Sequence, residues 1–388
     1  MAKQFFGVLG LVILITASCS GSGIATGARD AGAEGGSTSV TPAPDGSERA
    51  RIATAVVIGD TNACAIVSGS VYCWGRVTSN VNQLTPLRVD GLKTPATAIS
   101  GGSSKNCALV GGEVFCWVAN GQVTKVAGLP SGVTAISVGY GSDCAVAGGK
   151  AYCWGSNNLG QLGDGSRTDS TTPVQVQGVP GEIVGIGAGE YFTCALADGN
   201  VYCWGENSQG QLGDGTPVNT MGPVTYSTVP VKVQNLPPGV TAIAAGAIYA
   251  CALADGAIYC WGYNSEGQLG DGTTISRSLP VQVPGLSGAT ALSAYSYTTC
   301  ALAGDVSCWG FRDILNPNAF HPTTEFDTSP VPVAFPSNVS AICAGAASNC
   351  ALMDGAVYCW GDNYYGQLGN GTQTASKVPV KVDFSAYF

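Results

Sequence analysis

The sequence predicts an all-β fold, a seven-bladed β-propeller with one hairpin disulfide per blade. Three observations carry this. A Cys-Trp pair recurs seven times, each such cysteine has an upstream cysteine at near-constant spacing, and short apolar runs of strand type flank every pair. Self-similarity at intervals of 37 to 57 residues is the period of propeller blades and is too irregular for a tightly stacked solenoid.

The hairpin comes first. The second cysteines are Cys73, Cys116, Cys153, Cys203, Cys260, Cys308 and Cys359, each followed by one of the seven tryptophans in the chain. The first cysteines are Cys64, Cys107, Cys144, Cys194, Cys251, Cys300 and Cys350; six pairs are spaced C-x8-C and the Cys300/Cys308 pair is one residue shorter. Between Cys251 and Cys260 the chain reads ALADGAIY, so Asp255-Gly256 is a two-residue turn of the kind that matches strand twist. Counting outward, Ala254 faces Ala257, Leu253 faces Ile258, Ala252 faces Tyr259 and Cys251 faces Cys260. The cysteines then fall at a non-hydrogen-bonded pair, where Cα atoms approach to about 4.5 Å, within disulfide range. A zinc reading fails, because eight intervening residues are no chelate spacing and a single histidine cannot complete seven sites. Each staple closes a short loop and stabilises by roughly 2 to 3 kcal/mol in the chain-entropy model.

An apolar strand precedes each hairpin: Ala53 to Gly59, Ala96 to Gly102, Val133 to Gly139, Ile183 to Gly189, Val240 to Gly246, Ala289 to Tyr295 and Val339 to Gly345. A fourth short strand follows, as at Pro173 to Val176, Pro230 to Val233, Pro280 to Val283 and Pro379 to Val382, with Val378 to Val382 the expected final strand. Four short strands per unit make a blade. The fifth residue of the preceding strand is Val57, Ser100, Ser137, Gly187, Ala244, Ser293 or Cys343, none of them large, as crowding near a propeller axis requires. Cys343 has no partner in this scheme and is expected to be a small buried free thiol.

After the tryptophan the fuller repeats read WGSNNLGQLGDGS, WGENSQGQLGDGT, WGYNSEGQLGDGT and WGDNYYGQLGNGT. No helical period follows them, so they are not phosphate loops, and they lack the alternating acids of a calcium loop. Their glycines supply positive φ while Asn and Asp satisfy local backbone groups. No cofactor and no metal is expected.

These motifs resemble the repeats of the regulator of chromosome condensation family, whose signature is an A-L-x-x-x-G-x-V-Y-x-W-G hairpin followed by N-x-x-G-Q-L-G. The resemblance covers nearly everything from Arg51 to Phe388. The first, second and sixth repeats depart from it, with WGRVTSNVNQL, WVANGQV and WGFRDILNPNAF. Cysteine stands where the eukaryotic family often has histidine before A-L, which fits an exported bacterial branch. The resemblance implies a seven-bladed propeller. It also implies nucleotide exchange on a small GTPase, an activity that an acidic, exported, disulfide-stapled chain is not expected to have. Some exported bacterial propellers of similar type act as protein-binding inhibitors of β-lactamases.

The N-terminus explains the export. Residues 1–18 read as a signal peptide, with Lys3 ahead of an apolar stretch from Phe5 to Ala17 that is too short to span a bilayer. Thr16-Ala17-Ser18-Cys19 resembles the lipobox of bacterial lipoproteins, making Cys19 the expected lipidated residue. Residues 19–50, rich in Gly, Ser, Ala, Thr and Pro, form a flexible linker, and residues 51–388 form the propeller. The expected location is therefore the bacterial cell envelope, as a membrane-anchored lipoprotein or in secreted form, touching membrane only through the lipid.

With a formal net charge of -9 and 16 scattered Lys and Arg, the chain has no footprint for nucleic acid. Catalysis needs a poised acid, base, nucleophile or metal, and the single histidine, His321, has no recognisable partner. The function expected is thus recognition of a protein or glycan by a monomeric ring, with a carbohydrate-active enzyme using acidic residues on a propeller face as the alternative. Aromatic and cationic residues in non-repeating loops are the candidate contacts: Met221 and Tyr226 in the fourth repeat, Phe311, Arg312, Phe320 and His321 in the sixth, and Tyr364 and Tyr365 in the seventh.

Overall fold

A computed structural model describes residues 52–387 except 79–80, 93–94, 104, 119–120, 220, 312–325 and 337. Within it the chain forms seven four-stranded antiparallel sheets, each built from strands consecutive in sequence. In blade 5 these are Val240–Ala245, Tyr249–Ala254, Ala257–Gly262 and Arg277–Gln282, running from the axis outward. The second strand of that blade is buried at every residue, because it lies between two neighbours in its own sheet and between two sheets.

The hairpin register is the one the turn dictates: Ala254 opposes Ala257, Leu253 opposes Ile258, Ala252 opposes Tyr259 and Cys251 opposes Cys260. Asp255 and Gly256 have φ of 49° and 73°, so both central residues take the left-handed region that this turn needs. All seven cysteine pairs are disulfide-bonded, with Cα separations of 4.0 to 4.1 Å. In blade 6 the shorter spacing is absorbed by Gly304 alone, between Ala303 and Asp305.

The outer strands start earlier than the Pro-initiated runs indicate, at Ser170, Tyr226, Arg277 and Ser376. A register shift after the second cysteine lets the strand re-pair beyond it, as where Cys260 opposes Val281 but Gly262 opposes Arg277. The final strand is accordingly Ser376–Lys381, and the outer strand of blade 2 shrinks to Thr124–Lys125.

Three sets of contacts join the blades. The turn glycine of one blade accepts a backbone hydrogen bond from the innermost strand of the next, as from Ala96 to Gly69, Ile183 to Gly149 and Ala289 to Gly256, each at 2.9 Å. The small residues nearest the axis form the second set. The hydroxyls of Ser100, Ser137 and Ser293 accept from the backbone N–H of Val138, Ala188 and Ala344 in the following blade, at 3.0, 2.8 and 2.9 Å. Cys343 Sγ accepts from Ile58 in the same way, at 3.2 Å.

The third set explains the tryptophans. The indole N–H of Trp204, Trp261, Trp309 and Trp74 donates to the backbone carbonyl of Gln161, Gln211, Gln268 and Gln367 in the preceding blade, at 2.8 to 3.0 Å. Each of these glutamines belongs to a Gly-Gln-Leu-Gly loop, whose leucine is buried alongside. Blades 1, 2 and 6 lack that loop, so the interfaces that follow them lack the bond.

The ring closes without a shared blade. Ala53 donates to Gly355 at 2.8 Å, Trp74 donates to Gln367, and the C-terminal residues Phe384 and Tyr387 pack edge-on against Tyr72 and Trp74 of blade 1.

The expectation of a free thiol at Cys343 is corrected. Cys343 is disulfide-bonded and no free cysteine occurs among the described residues. Hairpin register pairs only cysteines of one ribbon, whereas this sulfur sits at the axis and is open to a partner from outside the repeat. The predicted signal, the linker and Cys19 lie outside the described residues. Among the described residues no helix is long and apolar enough to cross a membrane.

Candidate interaction face

In a four-stranded antiparallel blade the first and third connections leave from one end and the second from the other. Here the second connections are tight two-residue turns in six blades. The first and third connections vary far more in length and chemistry than the second, so one face of the ring is the more uniform and the other is chemically diverse.

The long loops of the diverse face are held from within. Asn157 is fully buried; its Oδ1 accepts from the Leu162 N–H at 3.0 Å and its Nδ2 donates to Ser166 Oγ and the Thr168 carbonyl. Asn264 and Asn363 repeat this on Leu269 and Leu368. Asp271 is held below the usual carboxylate range; burial opposes this, and hydrogen bonds from Thr273 and Arg277 outweigh it. These loops spend most of their polar groups on themselves, and among the described residues no cluster of His, Cys, Asp or Glu could hold a metal ion.

The axial channel is plugged at this face. Six innermost strands end in glycine, at 59, 102, 139, 189, 246 and 345, and a Cβ on Gly59 would stand 2.3 Å from the Gly102 carbonyl oxygen. In blade 6 the same place holds Tyr295, which is buried and stacked on Tyr140 from across the ring, with centroids 5.7 Å apart. Asp60 of blade 1 lies beside both phenols. Burial raises its carboxyl above the ordinary value, against the opposing effect of Tyr295 and Tyr140, and burial likewise raises both phenols.

Around this plug lies a half-exposed belt of acids and tyrosines. Glu190 and Tyr191 stand on the first loop of blade 4 and Glu206 at the end of its third strand. Tyr263 of blade 5 tilts against Tyr297 of blade 6 at 5.9 Å. Burial raises Glu206, with Glu190 adding to the shift, and the nearness of Glu190 is the largest cause raising Tyr191. Tyr140, Glu190, Tyr191, Asp169 and Gln161 line one cleft between blades 3 and 4.

The sequence-predicted contacts fall on the same face but farther out. Met221 is 97% exposed, and Tyr226 lies beneath the Arg167 guanidinium, 4.7 Å from its ring centroid. Tyr364 packs edge-on against Tyr365, which in turn lies under Arg76. Phe311 lines a cleft of about 210 Å³ between blades 6 and 7, with Trp309, Asn349 and Trp360. Arg312, Phe320 and His321 lie outside the described residues. The belt itself was missed from sequence; its signal was Tyr295 standing in a column otherwise made of glycine.

A repeated β-propeller whose longest and most diverse loops gather on one face defines a class, the repeat scaffold that presents loops. The chain belongs to the regulator of chromosome condensation (RCC1) repeat family, whose models match residues 148–196, 198–253, 255–302 and 354–387, and residues 183–211, 240–268 and 339–367. It is similar to the ultraviolet-B receptor UVR8 of Arabidopsis thaliana, 31% identical over 160 residues, 39% of this chain and 36% of the receptor. It is also similar to the human E3 ubiquitin-protein ligase HERC2, 29% identical over 161 residues, 39% of this chain and 3% of the ligase. The match thus spans little more than a third of the receptor and only 3% of the ligase. Among solved structures it resembles yeast (Saccharomyces cerevisiae) Prp20p, described with its binding to Gsp1p and histones, at TM-score 0.67 and 19% identity over 85% of this chain and 87% of that one. Human WBSCR16 gives TM-score 0.65 and 20% identity over 78% and 85%. At these identities the structural likeness establishes the fold.

Proposed function

We propose that this protein is an exported recognition module that binds a macromolecular partner at the bacterial cell envelope. The observation that carries this reading is the contrast between the faces. One is a set of near-identical tight turns, and the other gathers the unequal loops, the exposed Met221 and Tyr364 and the belt of acids and tyrosines. Interface energy concentrates in aromatic anchors, and a rigid ring lowers the entropy lost when its loops bind. Seven hairpin disulfides support an oxidising compartment, and the named binding of Prp20p to Gsp1p and histones supports a protein as the partner.

Affinity capture on envelope extract with the full chain as bait tests the reading. Retention of a partner that is released when Tyr364 and Met221 are replaced by Ser supports it. Retention of nothing, together with turnover of a glycan, would replace it by the carbohydrate-active alternative. Cys19 is the one cysteine besides Cys343 outside the hairpins, and one sulfur cannot carry both a lipid and a disulfide, so the disulfide of Cys343 argues against the expected lipid on Cys19. Mass spectrometry of the mature N-terminus decides: a diacylglyceryl thioether on Cys19 establishes the anchor, and a Cys19–Cys343 linked peptide removes it while leaving the export reading intact.

A further inference from the structure

Two features of the channel-mouth face point to the chemistry of its partner. The first is charge. In blades 3 to 6 the residues at the first loop and just after the Cys-Trp-Gly of the third strand include Glu190, Glu206, Tyr140, Tyr191, Tyr263 and Tyr297; in blades 3 to 5 no Lys or Arg occurs among them, and in blade 6 Arg312 follows Phe311 and lies outside the described residues. Among the described residues of these blades the cations farther out on this face are engaged, Arg277 by Asp271 and Arg167 by Tyr226 and the Asn158 carbonyl. Carboxylates flanked by electron-rich ring faces suit an ammonium or guanidinium group.

The second feature is independent of charge. Gln161, Gln211, Gln268 and Gln367 occupy equivalent loop positions, are buried, and each accepts through Oε1 from the backbone N–H two residues before it. Their amide nitrogens differ. Gln367 Nε2 donates to the Asp362 carboxylate at 2.8 Å and Gln161 Nε2 to Asn158 at 3.2 Å. The Nε2 groups of Gln211 and Gln268 have no hydrogen-bond partner. The residues at the position of Asp362 in these two blades are Glu206 and Tyr263, so by equivalence with the Gln367–Asp362 contact both amides border the acidic and aromatic belt. A buried donor left unsatisfied keeps the cost of its lost hydration, which an acceptor arriving from outside recovers.

We infer that the channel-mouth face across blades 3 to 6 takes an extended protein segment bearing lysine or arginine, with its cation among Glu190, Glu206 and the tyrosines and its backbone carbonyls on Gln211 and Gln268. An extended segment supplies both groups at once, a carbonyl at every residue and a cation on a long stem. This deepens the recognition reading above and rests on it.

Calorimetric titration of the full chain with a synthetic peptide alternating arginine and serine, and with its citrulline counterpart, tests the site. The arginine peptide binds at least about tenfold tighter than the citrulline one, and the gap narrows with added salt. The isosteric pair Glu190→Gln and Glu206→Gln removes that gap while the melting temperature is retained. Gln268→Met weakens both peptides alike, because the carbonyl contact does not depend on charge. Asp198→Asn and Asp255→Asn, which remove as much charge from the opposite face, change nothing. Equal binding of the two peptides, or an equal loss from the opposite-face variants, overturns the inference. Envelope capture separates the two levels: a partner retained equally by wild type and by the Glu190→Gln/Glu206→Gln protein overturns the cationic segment and leaves recognition standing, whereas no partner on wild type overturns recognition itself.

Discussion

The interfaces before blades 4, 5, 6 and 1 differ from those before blades 2, 3 and 7. In the first group a tryptophan N–H reaches a glutamine carbonyl of the preceding blade, and a buried leucine fills the space beside it. In the second group the preceding blade has no such loop. Clefts open between blades 1 and 2, where Trp117, Asn106 and Arg88 line the wall, and between blades 6 and 7. The interface between blades 2 and 3 is bridged differently, by an ion pair between Lys105 and the buried Asp143, with the Trp154 indole facing the same carboxylate. One scaffold therefore tolerates loss of its repeat motif when a different polar contact, or simply an open cleft, takes its place.

The bridge between blades 2 and 3 is where breaking one contact costs most. Burial raises the Asp143 carboxyl, and Lys105 beside it opposes the shift without overcoming it. Lys105→Met leaves that charge buried without its cation, and a loss of about 3 kcal/mol is expected in denaturant unfolding near neutral pH. The deficit shrinks on acidification, since a protonated Asp143 no longer needs the cation. A loss that stayed constant down to pH 3 would show that packing by the lysine stem, not charge, joins these blades.

Removing a staple tests whether neighbouring latches matter to a hairpin. The pairs Cys251/Cys260, in a blade latched on both sides, and Cys107/Cys116, in a blade latched on neither, have the same sequence separation of 9. The chain-entropy model assigns each about 2 to 3 kcal/mol, so Cys→Ala double variants should lower global stability equally. Hydrogen exchange should then separate them, with the amides of Lys105 to Val110 opening well before those of Tyr249 to Ala254.

The latch itself is tested by Trp261→Phe and Trp117→Phe. The first removes a donor from the Gln211 carbonyl at 3.0 Å in a fully buried setting and should cost about 1 kcal/mol more than the second, beyond the shared loss of ring volume. Equal costs in thermal unfolding would reduce the indole bond to a bystander of packing.

These contrasts also show what could be read from the chain alone. The hairpin, its register and its staple followed from the Asp255-Gly256 turn and the placement of Cys251 and Cys260, because two-residue turns fix local pairing. The seven-fold count followed from repetition, and the modest size of the Ser100, Ser137 and Ser293 column from crowding at the axis. What escaped lies between blades. Trp261 and Gln211 are 50 residues apart, and no local rule pairs them. Lys105 and Asp143 look like ordinary surface charges until two strands are stacked. Cys343 was misjudged for the same reason, since hairpin arithmetic sees only partners within one ribbon. On the candidate face, the outer loops were visible as breaks in the repeat. The belt was not, because its members come one to three from each of four blades and meet only once the ring is closed.

The smallest effect expected concerns the plug, where one blade differs from the other six by placing Tyr295 in the glycine column. Asp60 beside it has a folded-state pKa raised above its unfolded value, with burial the leading cause and the phenols of Tyr295 and Tyr140 opposing it. A raised carboxyl binds its proton more tightly in the folded protein, so the stability it contributes is fully present below the unfolded value near 3.8 and is lost as pH rises through the higher folded value. Asp60→Asn keeps an acceptor for the two phenols and carries no charge. It should therefore melt slightly above wild type at pH 7, and the two curves should converge as pH falls below that unfolded value. An Asn variant that melts lower at pH 7 would mean that the ionised carboxylate holds the two tyrosines in place more strongly than burial penalises it, and the plug would then be an electrostatic device instead of a packed one.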